Sequence, residues 1–246
     1  MNNFYTNNYP LLNLYKKTSS KSEIVTQMIY GENFKVINKF SKWIKIKIQD
    51  DGYIGYTKKK KFTTYLKPTH KVSVLFANIY KNPNFKNKIG KLAYVSKIKV
   101  KKIISKFAMF QNKWIEVKNI KPIKYKEKNI FKNIETFKGI KYKWGGKTFN
   151  GIDCSALIQI FLNFNNKFCP RDTHQQIKYF KKNINLKNIK KNDIIYWKGH
   201  VALALSSKKL IHAYGPRKKT LIMDIQKTIK LIKRTSNLNV ISVKRV

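Results

Sequence analysis

The sequence has few cysteines, few acidic residues and no long apolar run. No stretch approaches the roughly 18 apolar residues that a membrane-spanning helix needs, and the start, MNNFYTNNYPLLNLYKKTSS, lacks the basic and apolar regions of a secretory signal. These absences predict a soluble cytoplasmic protein. In that reducing compartment Cys154 and Cys169, the only two cysteines, are expected to be free thiols, and a disulfide between them stays open as an alternative.

Acidic residues are scarce relative to basic ones. Asp and Glu together number 11 against 54 Lys and Arg, so the formal net charge is +43. A charge of this size raises the alternative of a protein that binds nucleic acid or another polyanion. Arginine is scarce, however, and the lysines are spread along the chain together with many Asn and Ile residues. This distribution favours the codon bias of an AT-rich genome over a polyanion-binding function.

Short alternating or β-branched segments fill the first half of the chain. They include NFKVINKF, WIKIKIQ, KVSVLFANIY and KWIEVKNI, and turn-rich pieces such as QDDG and KNPN separate them. This pattern predicts strands rather than helices. A Trp-Ile pair enters an alternating strand twice, in SKWIKIKI and in NKWIEVKN, which predicts two tandem β-barrels of about 55 residues each.

The pattern changes in the second half of the chain. A glycine-rich loop precedes a segment with helical apolar spacing, and the compact strand-like segments DIIYW, HVALAL and KKLIHAY follow. A helix followed by an antiparallel sheet predicts a domain of the α+β class at residues 130–246.

The glycine-rich loop leads directly into a cysteine. A helix that begins near Asp153 places Cys154 in its first turn, where unpaired backbone N–H groups and the helix dipole favour a thiolate. Gly145, Gly146 and Gly151 allow the backbone to approach this position closely. These features are compatible with a nucleophile, and a small buried apolar residue stays open as the alternative at this point.

Two histidines lie in neighbouring predicted strands. His200 opens HVALAL and His212 lies in LIHAY, so an antiparallel pair of strands can bring both imidazoles to one face. The small residues Ala202 and Ala204 share the face of His200, which leaves room for the helix that carries Cys154. A cysteine, a histidine base and a polar group that orients the base form an activated nucleophile.

Four segments, YKWGGKTFNGIDCSAL, CPRDTHQQ, NDIIYWKGHVALAL and LIHA, resemble the signature of the NlpC/P60 cysteine peptidases. The segments YGENFKV, DGYIGYT and PTHKVSVLFANIYKNP are similar to the paired bacterial SH3-like domains of the dipeptidyl-peptidase VI branch. The resemblance implies a papain-like NlpC/P60 catalytic domain at residues 130–246, preceded by small SH3-like β-barrels at residues 10–66 and 69–124. It implies no cofactor.

The resemblance also implies catalytic roles. Cys154 would be the nucleophile, His200 the general base, and His212 the residue that fixes the tautomer of His200. Tyr142 would donate its hydroxyl to the developing oxyanion together with the backbone N–H of the nucleophile, with a core aromatic as its alternative role. Trp144 would form a wall of the site.

The substrate implied by the resemblance is a peptidoglycan-derived peptide with a free N-terminal L-Ala, cleaved between γ-D-Glu and the diamino acid. Its ammonium group needs a carboxylate, and Asp153 matches the family's candidate; the alternative role of Asp153 is to cap the helix, and one residue can do both. Arg171 would face a substrate carboxylate. The other positions matched to substrate binding are Ser155, Asp172 and Thr173, and, in the first barrel, Glu32, Tyr53 and Tyr56, for which a solvated barrel edge is the alternative.

Three other interpretations stay open. A zinc ion could be held by Cys154, Cys169, His200 and His212, but these residues lack the close ligand spacing of dedicated zinc sites, and we expect no metal. The protein could bind wall peptides without cleaving them, or it could bind a polyanion. The expected partner is a peptidoglycan-derived peptide, with no obligate nucleic acid and no membrane span.

Overall fold

The computed structural model describes residues 4–246 and separates into two compact units. The first unit runs to Lys126 and also includes Lys147–Phe149, and the second holds Glu127–Gly146 and Asn150–Val246. The segment Lys147–Phe149 thus belongs to the strand-rich unit, although it falls within the range predicted for the peptidase domain.

A seven-stranded antiparallel sheet forms the first part of the first unit. Its strands are β1 (Phe4–Thr6), β2 (Leu11–Tyr15), β3 (Ile24–Ile29), β4 (Asn33–Lys39), β5 (Trp43–Ile48), β6 (Ile54–Lys58) and β7 (Thr63–Thr64), in the order β3-β2-β6-β5-β4-β1-β7. The alternation of WIKIKI buries Ile44, Ile46 and Ile48, which pack with Leu14 and Phe34. The prediction of strands from these alternating segments is confirmed.

The second part of this unit consists of two smaller sheets. Its strands are β8 (His70–Val72), β9 (Phe76–Tyr80), β10 (Lys88–Ala93), β11 (Lys97–Ile98), β12 (Lys102–Ile104), β13 (Phe107–Phe110), β14 (Lys113–Glu116) and β15 (Ile120–Pro122). They pair in the orders β10-β9-β14-β13-β12 and β11-β8-β15. Val72, Leu92, Ala108 and Ile115 lie in their shared apolar core.

The second unit combines helices with one five-stranded antiparallel sheet. After β16 (Lys147–Thr148), which belongs to the first unit, come β17 (Gly151–Ile152), α1 (Cys154–Phe164), α2 (Thr173–Tyr179), β18 (Ile194–Trp197), β19 (His200–Ala204), β20 (Lys209–Tyr214), β21 (Lys219–Asp224), α3 (Ile225–Ser236) and β22 (Ser242–Lys244). The sheet order is β21-β20-β19-β18-β22. The three predicted strands DIIYW, HVALAL and KKLIHAY are therefore confirmed as β18, β19 and β20.

Side chains at their N-caps start the two longer helices. Asp153 accepts a hydrogen bond from the backbone N–H of Ala156, so α1 begins where the sequence predicts. Asp224 caps α3 in the same way through the N–H of Lys227. No helix within residues 4–246 is long and apolar enough to cross a bilayer.

The alanine face of β19 is covered differently from the prediction. Ala202 and Ala204 lie in one apolar cluster with Ile225 and Ile232 of α3. The helix that packs on the alanines is therefore α3, while α1, which carries Cys154, also contacts β19 and β20. A sheet between helices buries both of its faces, so small residues on one face do not indicate which helix covers them.

Candidate active site

The Cys154 thiol sits at the start of α1 and is 5% exposed. Burial raises the pKa of this thiol to about 11, and the negative charge of Asp153 adds to the rise. A hydrogen bond from the backbone of Val201, the charge of Arg171 and a hydrogen bond with the Thr173 side chain oppose the rise. The thiol is therefore protonated at neutral pH and needs a base before it can act as a nucleophile.

The backbone of β19 hydrogen-bonds this thiol one residue after a histidine. Val201, whose backbone hydrogen-bonds Cys154, directly follows His200 in the chain. The Nε2 atom of His200 lies 2.9 Å from Nδ1 of His212. Because Nε2 is used in this contact, Nδ1 of His200 is the ring nitrogen that remains for the thiol proton. The structure thus pairs His200 with His212 and places the backbone that follows His200 against the thiol of Cys154.

Both histidines are held in their neutral form. Burial lowers the pKa of His200 to about 4. Burial, followed by the charge of His200, lowers the pKa of His212 to about 3. The His212 ring is also stacked on Tyr214, with 4.8 Å between ring centroids and 9° between planes. At neutral pH the pair therefore has a nitrogen lone pair available to take up a proton.

A buried ion pair lies directly beside Cys154. Arg171 places Nη1 at 3.0 Å and Nη2 at 2.5 Å from the two carboxylate oxygens of Asp153. The same carboxylate accepts the backbone N–H of Gly145 at 2.9 Å and the hydroxyl of Ser155 at 3.2 Å, and Arg171 Nη1 also donates to that hydroxyl at 2.9 Å. Asp153 and Arg171, both predicted to bind substrate, have each other as partners, because two buried charges require pairing.

Tyr142 lies within electrostatic reach of the thiol. Burial raises the pKa of its hydroxyl, and the negative charges of Cys154 and Asp153 raise it further. The hydroxyl therefore stays protonated at neutral pH and can donate a hydrogen bond.

The loop after Tyr142 depends on glycine. A Cβ atom at Gly146 would lie 2.5 Å from the carbonyl oxygen of Gly151, and Gly145 has a φ of 72°. This close approach is the one that the sequence predicted for these glycines. Trp144, in the same loop, is 59% exposed, as a residue on the wall of an open site would be.

Helix α2 supplies a further polar contact to the first turn of α1. Gln176 is fully buried, and its Nε2 donates to the carbonyl oxygens of Ser155 at 3.0 Å and Pro170 at 2.9 Å. Thr173, at the start of α2, hydrogen-bonds the thiol, and the half-buried Asp172 precedes it. Sequence reasoning missed Gln176, although its place three residues after Thr173 puts both on one helix face.

In the first unit, Glu32 already has a cationic partner. It is 2% exposed, and its Oε1 lies 2.7 Å from Nζ of Lys147, while its Oε2 accepts the backbone N–H of Ile29 at 2.8 Å. Burial raises the pKa of Glu32, the charges of Asp50 and Asp51 raise it further, and Lys147 opposes the rise. Lys147 was not singled out in the sequence.

The two tyrosines predicted in the first barrel differ in position. Tyr53 is half-buried and packs against the apolar core of the seven-stranded sheet. Tyr56 lies on β6, where Nζ of Lys45 is 5.7 Å from its ring centroid and the ring of Phe40 is 5.8 Å away. Their roles in substrate binding stay predictions.

The second cysteine is buried away from solvent and is a free thiol, like Cys154. Its thiol donates to the carbonyl oxygen of Pro170 at 3.5 Å, and its own carbonyl oxygen accepts from Gln159. Within the part of the chain that the structure describes, no group of three or more His, Cys, Asp and Glu side chains could hold a metal ion.

Two family matches cover most of this arrangement. Residues 139–235 match the NlpC/P60 family, and residues 14–61 match the bacterial dipeptidyl-peptidase Sh3 domain. The first range contains Cys154, both histidines and Arg171. The second contains Glu32.

Curated relatives match along most of the chain. Dipeptidyl-peptidase 6 of Lysinibacillus sphaericus is 23% identical over 231 residues, which are 82% of this chain and 84% of that protein. Gamma-D-glutamyl-L-lysine dipeptidyl-peptidase of Bacillus subtilis (strain 168) is 25% identical over 236 residues, which are 84% of this chain and 77% of that protein.

A solved structure shares the fold. The crystal structure of an NlpC/P60 family protein from Bacillus cereus ATCC 10987 has a TM-score of 0.82 and 17% identity, and the match covers 98% of this chain and 99% of that one. The cysteine at the start of a buried helix, the paired histidines and these matches together identify residues 139–235 as an NlpC/P60 cysteine peptidase domain and residues 14–61 as a bacterial dipeptidyl-peptidase Sh3 domain that precedes it.

Proposed function

We propose that the protein hydrolyses the bond between γ-D-Glu and the diamino acid in peptidoglycan-derived peptides with a free N-terminal L-Ala. The observation that carries the proposal is the hydrogen-bonded pair His200–His212, which lies directly before the Val201 backbone that hydrogen-bonds the thiol of Cys154. The name of the Bacillus subtilis relative, a gamma-D-glutamyl-L-lysine dipeptidyl-peptidase, supports the choice of bond. The biological role we propose is the recycling of released wall peptides in the cytoplasm.

Attack on the peptide begins with a proton transfer. Nδ1 of His200 takes the proton of the Cys154 thiol while the sulfur attacks the γ-carbonyl carbon of D-Glu. This transfer overcomes the high pKa of the buried thiol, because the thiolate forms only as the carbon–sulfur bond forms. The hydrogen bond to His212 supports the ring of His200 while it carries the extra charge.

The tetrahedral intermediate carries a negative oxygen that requires donors. Tyr142, whose hydroxyl stays protonated, and the backbone N–H of Cys154 are the donors that we propose for this oxygen. Collapse of the intermediate breaks the C–N bond, and His200 gives its proton to the amine of the leaving diamino acid. Water then attacks the thioester, with His200 again as the base, and restores the thiol.

The substrate ammonium requires a carboxylate near the thiol. The carboxylate of Asp153 is occupied by Arg171 and by two backbone N–H groups. We propose that Asp153 still faces the ammonium group, as the sequence predicts, and that Asp172, which precedes the thiol-bonding Thr173, is a second carboxylate near it. In this proposal the ion pair of Asp153 and Arg171 holds the start of α1 in place, and Ser155 belongs to the same network.

Mass spectrometry of a defined peptide tests the proposal. L-Ala-γ-D-Glu-meso-diaminopimelate and its L-lysine counterpart are incubated with the protein, in free and N-acetylated forms. We expect release of L-Ala-D-Glu from the free peptides only. Cleavage of the acetylated copies as well would keep the cysteine peptidase chemistry and remove the requirement for a free amine.

Two variants separate catalysis from binding. Cys154→Ala removes the nucleophile and is expected to abolish cleavage, while Cys169→Ala, the matched change at the other buried thiol, is expected to retain it. Binding of the peptide without cleavage by the wild type would support a binding module instead.

A further inference from the structure

Met223 lies on the side of His212 that faces away from His200. Its sulfur is 3.4 Å from Nε2 of His212, whose Nδ1 is 2.9 Å from Nε2 of His200. In the pairing of β20 with β21, Leu210 stands opposite Met223 and Leu221 stands opposite His212. Met223 is therefore the diagonal neighbour of His212 on the same face of the sheet.

The two rings together hold a small number of protons. Because burial keeps both histidines neutral, each imidazole carries one N–H group. Only one hydrogen fits along the 2.9 Å contact between His200 and His212. The pair therefore has two possible proton arrangements, and they differ in which ring donates.

Only one of the two arrangements leaves a base for the thiol. In the first, Nε2–H of His200 donates to Nδ1 of His212, so Nδ1 of His200 is bare and can take the proton of Cys154. In the second, Nδ1–H of His212 donates to Nε2 of His200, so Nδ1 of His200 already carries a hydrogen. A histidine protonated at that atom cannot act as the base.

The sulfur of Met223 distinguishes these arrangements. A thioether accepts hydrogen bonds and has no proton to donate. The first arrangement directs Nε2–H of His212 at the sulfur, whereas the second directs a bare nitrogen lone pair at it. The contact is therefore attractive in the first arrangement and repulsive in the second.

We propose that Met223 is a positioning residue that holds the proton of His212 on Nε2 and thereby keeps Nδ1 of His200 free to act as the base. The proposal rests on the proposed role of His200, but the state of the ring protons is measurable without a substrate. A failure of peptide cleavage and a failure of this proposal are therefore distinguishable.

Nitrogen-15 NMR of the ring nitrogens tests the proposal on the free protein. The chain has 4 histidines, so few signals need assignment, and His212→Gln identifies the ring of His212. We expect both His200 and His212 to be protonated at Nε2 in the wild type near neutral pH. Protonation of His212 at Nδ1 in the wild type would overturn the proposal, whatever any variant does.

Substitutions at Met223 test the cause. Met223→Leu keeps an apolar side chain of similar size without the acceptor, and we expect an Nδ1–H signal of His212 to appear and kcat/KM to fall roughly 2- to 10-fold, mostly through kcat. Met223→Gln offers an amide oxygen as acceptor and is expected to restore the Nε2–H signal and part of the rate. Met109→Leu, the same change at a half-buried methionine of the first unit, is the control and is expected to alter neither.

Two results with these variants contradict the proposal. Wild-type ring protonation in Met223→Leu would show that the sulfur does not select the tautomer. Equal losses of rate in the Leu and Gln variants with unchanged ring signals would show that Met223 acts through packing alone.

Discussion

Each of the two compact units buries an ion pair, but the carboxylates of the two pairs accept different numbers of hydrogen bonds. In the peptidase unit, Asp153 accepts both terminal nitrogens of Arg171 and two backbone N–H groups. In the strand-rich unit, Glu32 accepts the single ammonium of Lys147 and one backbone N–H group. The first carboxylate is held by a planar fork, and the second by a point charge.

This difference teaches what each pair can do. A planar guanidinium fixes the orientation of its carboxylate as well as its distance, and this carboxylate caps the helix that begins with Cys154. An ammonium fixes distance only. Burial and two nearby aspartates raise the pKa of Glu32, so its charge depends on Lys147. We infer that the peptidase unit requires geometry at this position, whereas the strand-rich unit requires only neutralised charge.

Removing the guanidinium group of Arg171 has the largest expected effect on stability. Arg171→Met leaves Asp153 without a countercharge, and we expect the free energy of unfolding in urea to fall by about 3–5 kcal/mol. Alkylation of Cys154 by iodoacetamide should also slow, because the charge of Arg171 lowers the thiol pKa. Arg171→Lys keeps the charge without the planar guanidinium, and its values in both assays should lie between those of the wild type and Arg171→Met. If Arg171→Lys equals the wild type in both assays, the charge of residue 171 is sufficient and the planar shape of the guanidinium has no effect.

Low pH should destabilise the peptidase unit through its two buried histidines, His200 and His212. Unfolded histidines take up protons below about pH 6.5, but in the folded protein His200 and His212 do so only near about 4 and about 3. Stability should therefore fall as the pH drops below about 6.5, by up to about 1.4 kcal/mol per pH unit for each histidine, until the folded pKa values are reached. Urea titrations between about pH 7 and pH 5 measure this slope. The double variant His200→Asn/His212→Asn should lose it, and an unchanged slope would assign the effect to other groups.

Breaking the ammonium pair should cost less and depend on pH. Lys147→Met leaves Glu32 buried, but a carboxyl whose pKa is already raised can take up a proton, so we expect a loss of about 1–3 kcal/mol. The loss should be smallest below about pH 4.5, where the unfolded chain is also protonated at this residue, and should grow as the pH rises. A loss that stays constant across this range would mean that Glu32 remains charged without its partner.

Replacing the whole ammonium pair has the smallest expected effect. Glu32→Gln combined with Lys147→Met removes both charges and keeps an acceptor for the backbone, so the free energy of unfolding should lie within about 1 kcal/mol of the wild type. The corresponding Asp153→Asn/Arg171→Met variant removes the charge that raises the thiol pKa together with the smaller effect that lowers it, so alkylation of Cys154 should be faster than in Arg171→Met. Equal behaviour of the two double variants in the alkylation assay would remove the contrast between the pairs.

Local patterns carried the predictions that the structure confirms. The helix start at Asp153 follows from a capping side chain next to an apolar segment, and β18, β19 and β20 follow from short apolar runs bounded by turns. Both signals act over a few residues, so they are visible in the sequence. The same is true of Gly146, whose backbone meets that of Gly151 within one short loop.

The amino-acid sequence by itself determined where strands and helices begin, and which cysteine follows a capping residue. Only the tertiary structure decided the partners of buried polar groups. Arg171 and Asp153 are 18 residues apart and Lys147 and Glu32 are 115 apart, so no local pattern links them. The contact of Met223 with His212 likewise depends on the register between two strands. A buried charge or N–H group must find a partner, and packing determines which one is within reach.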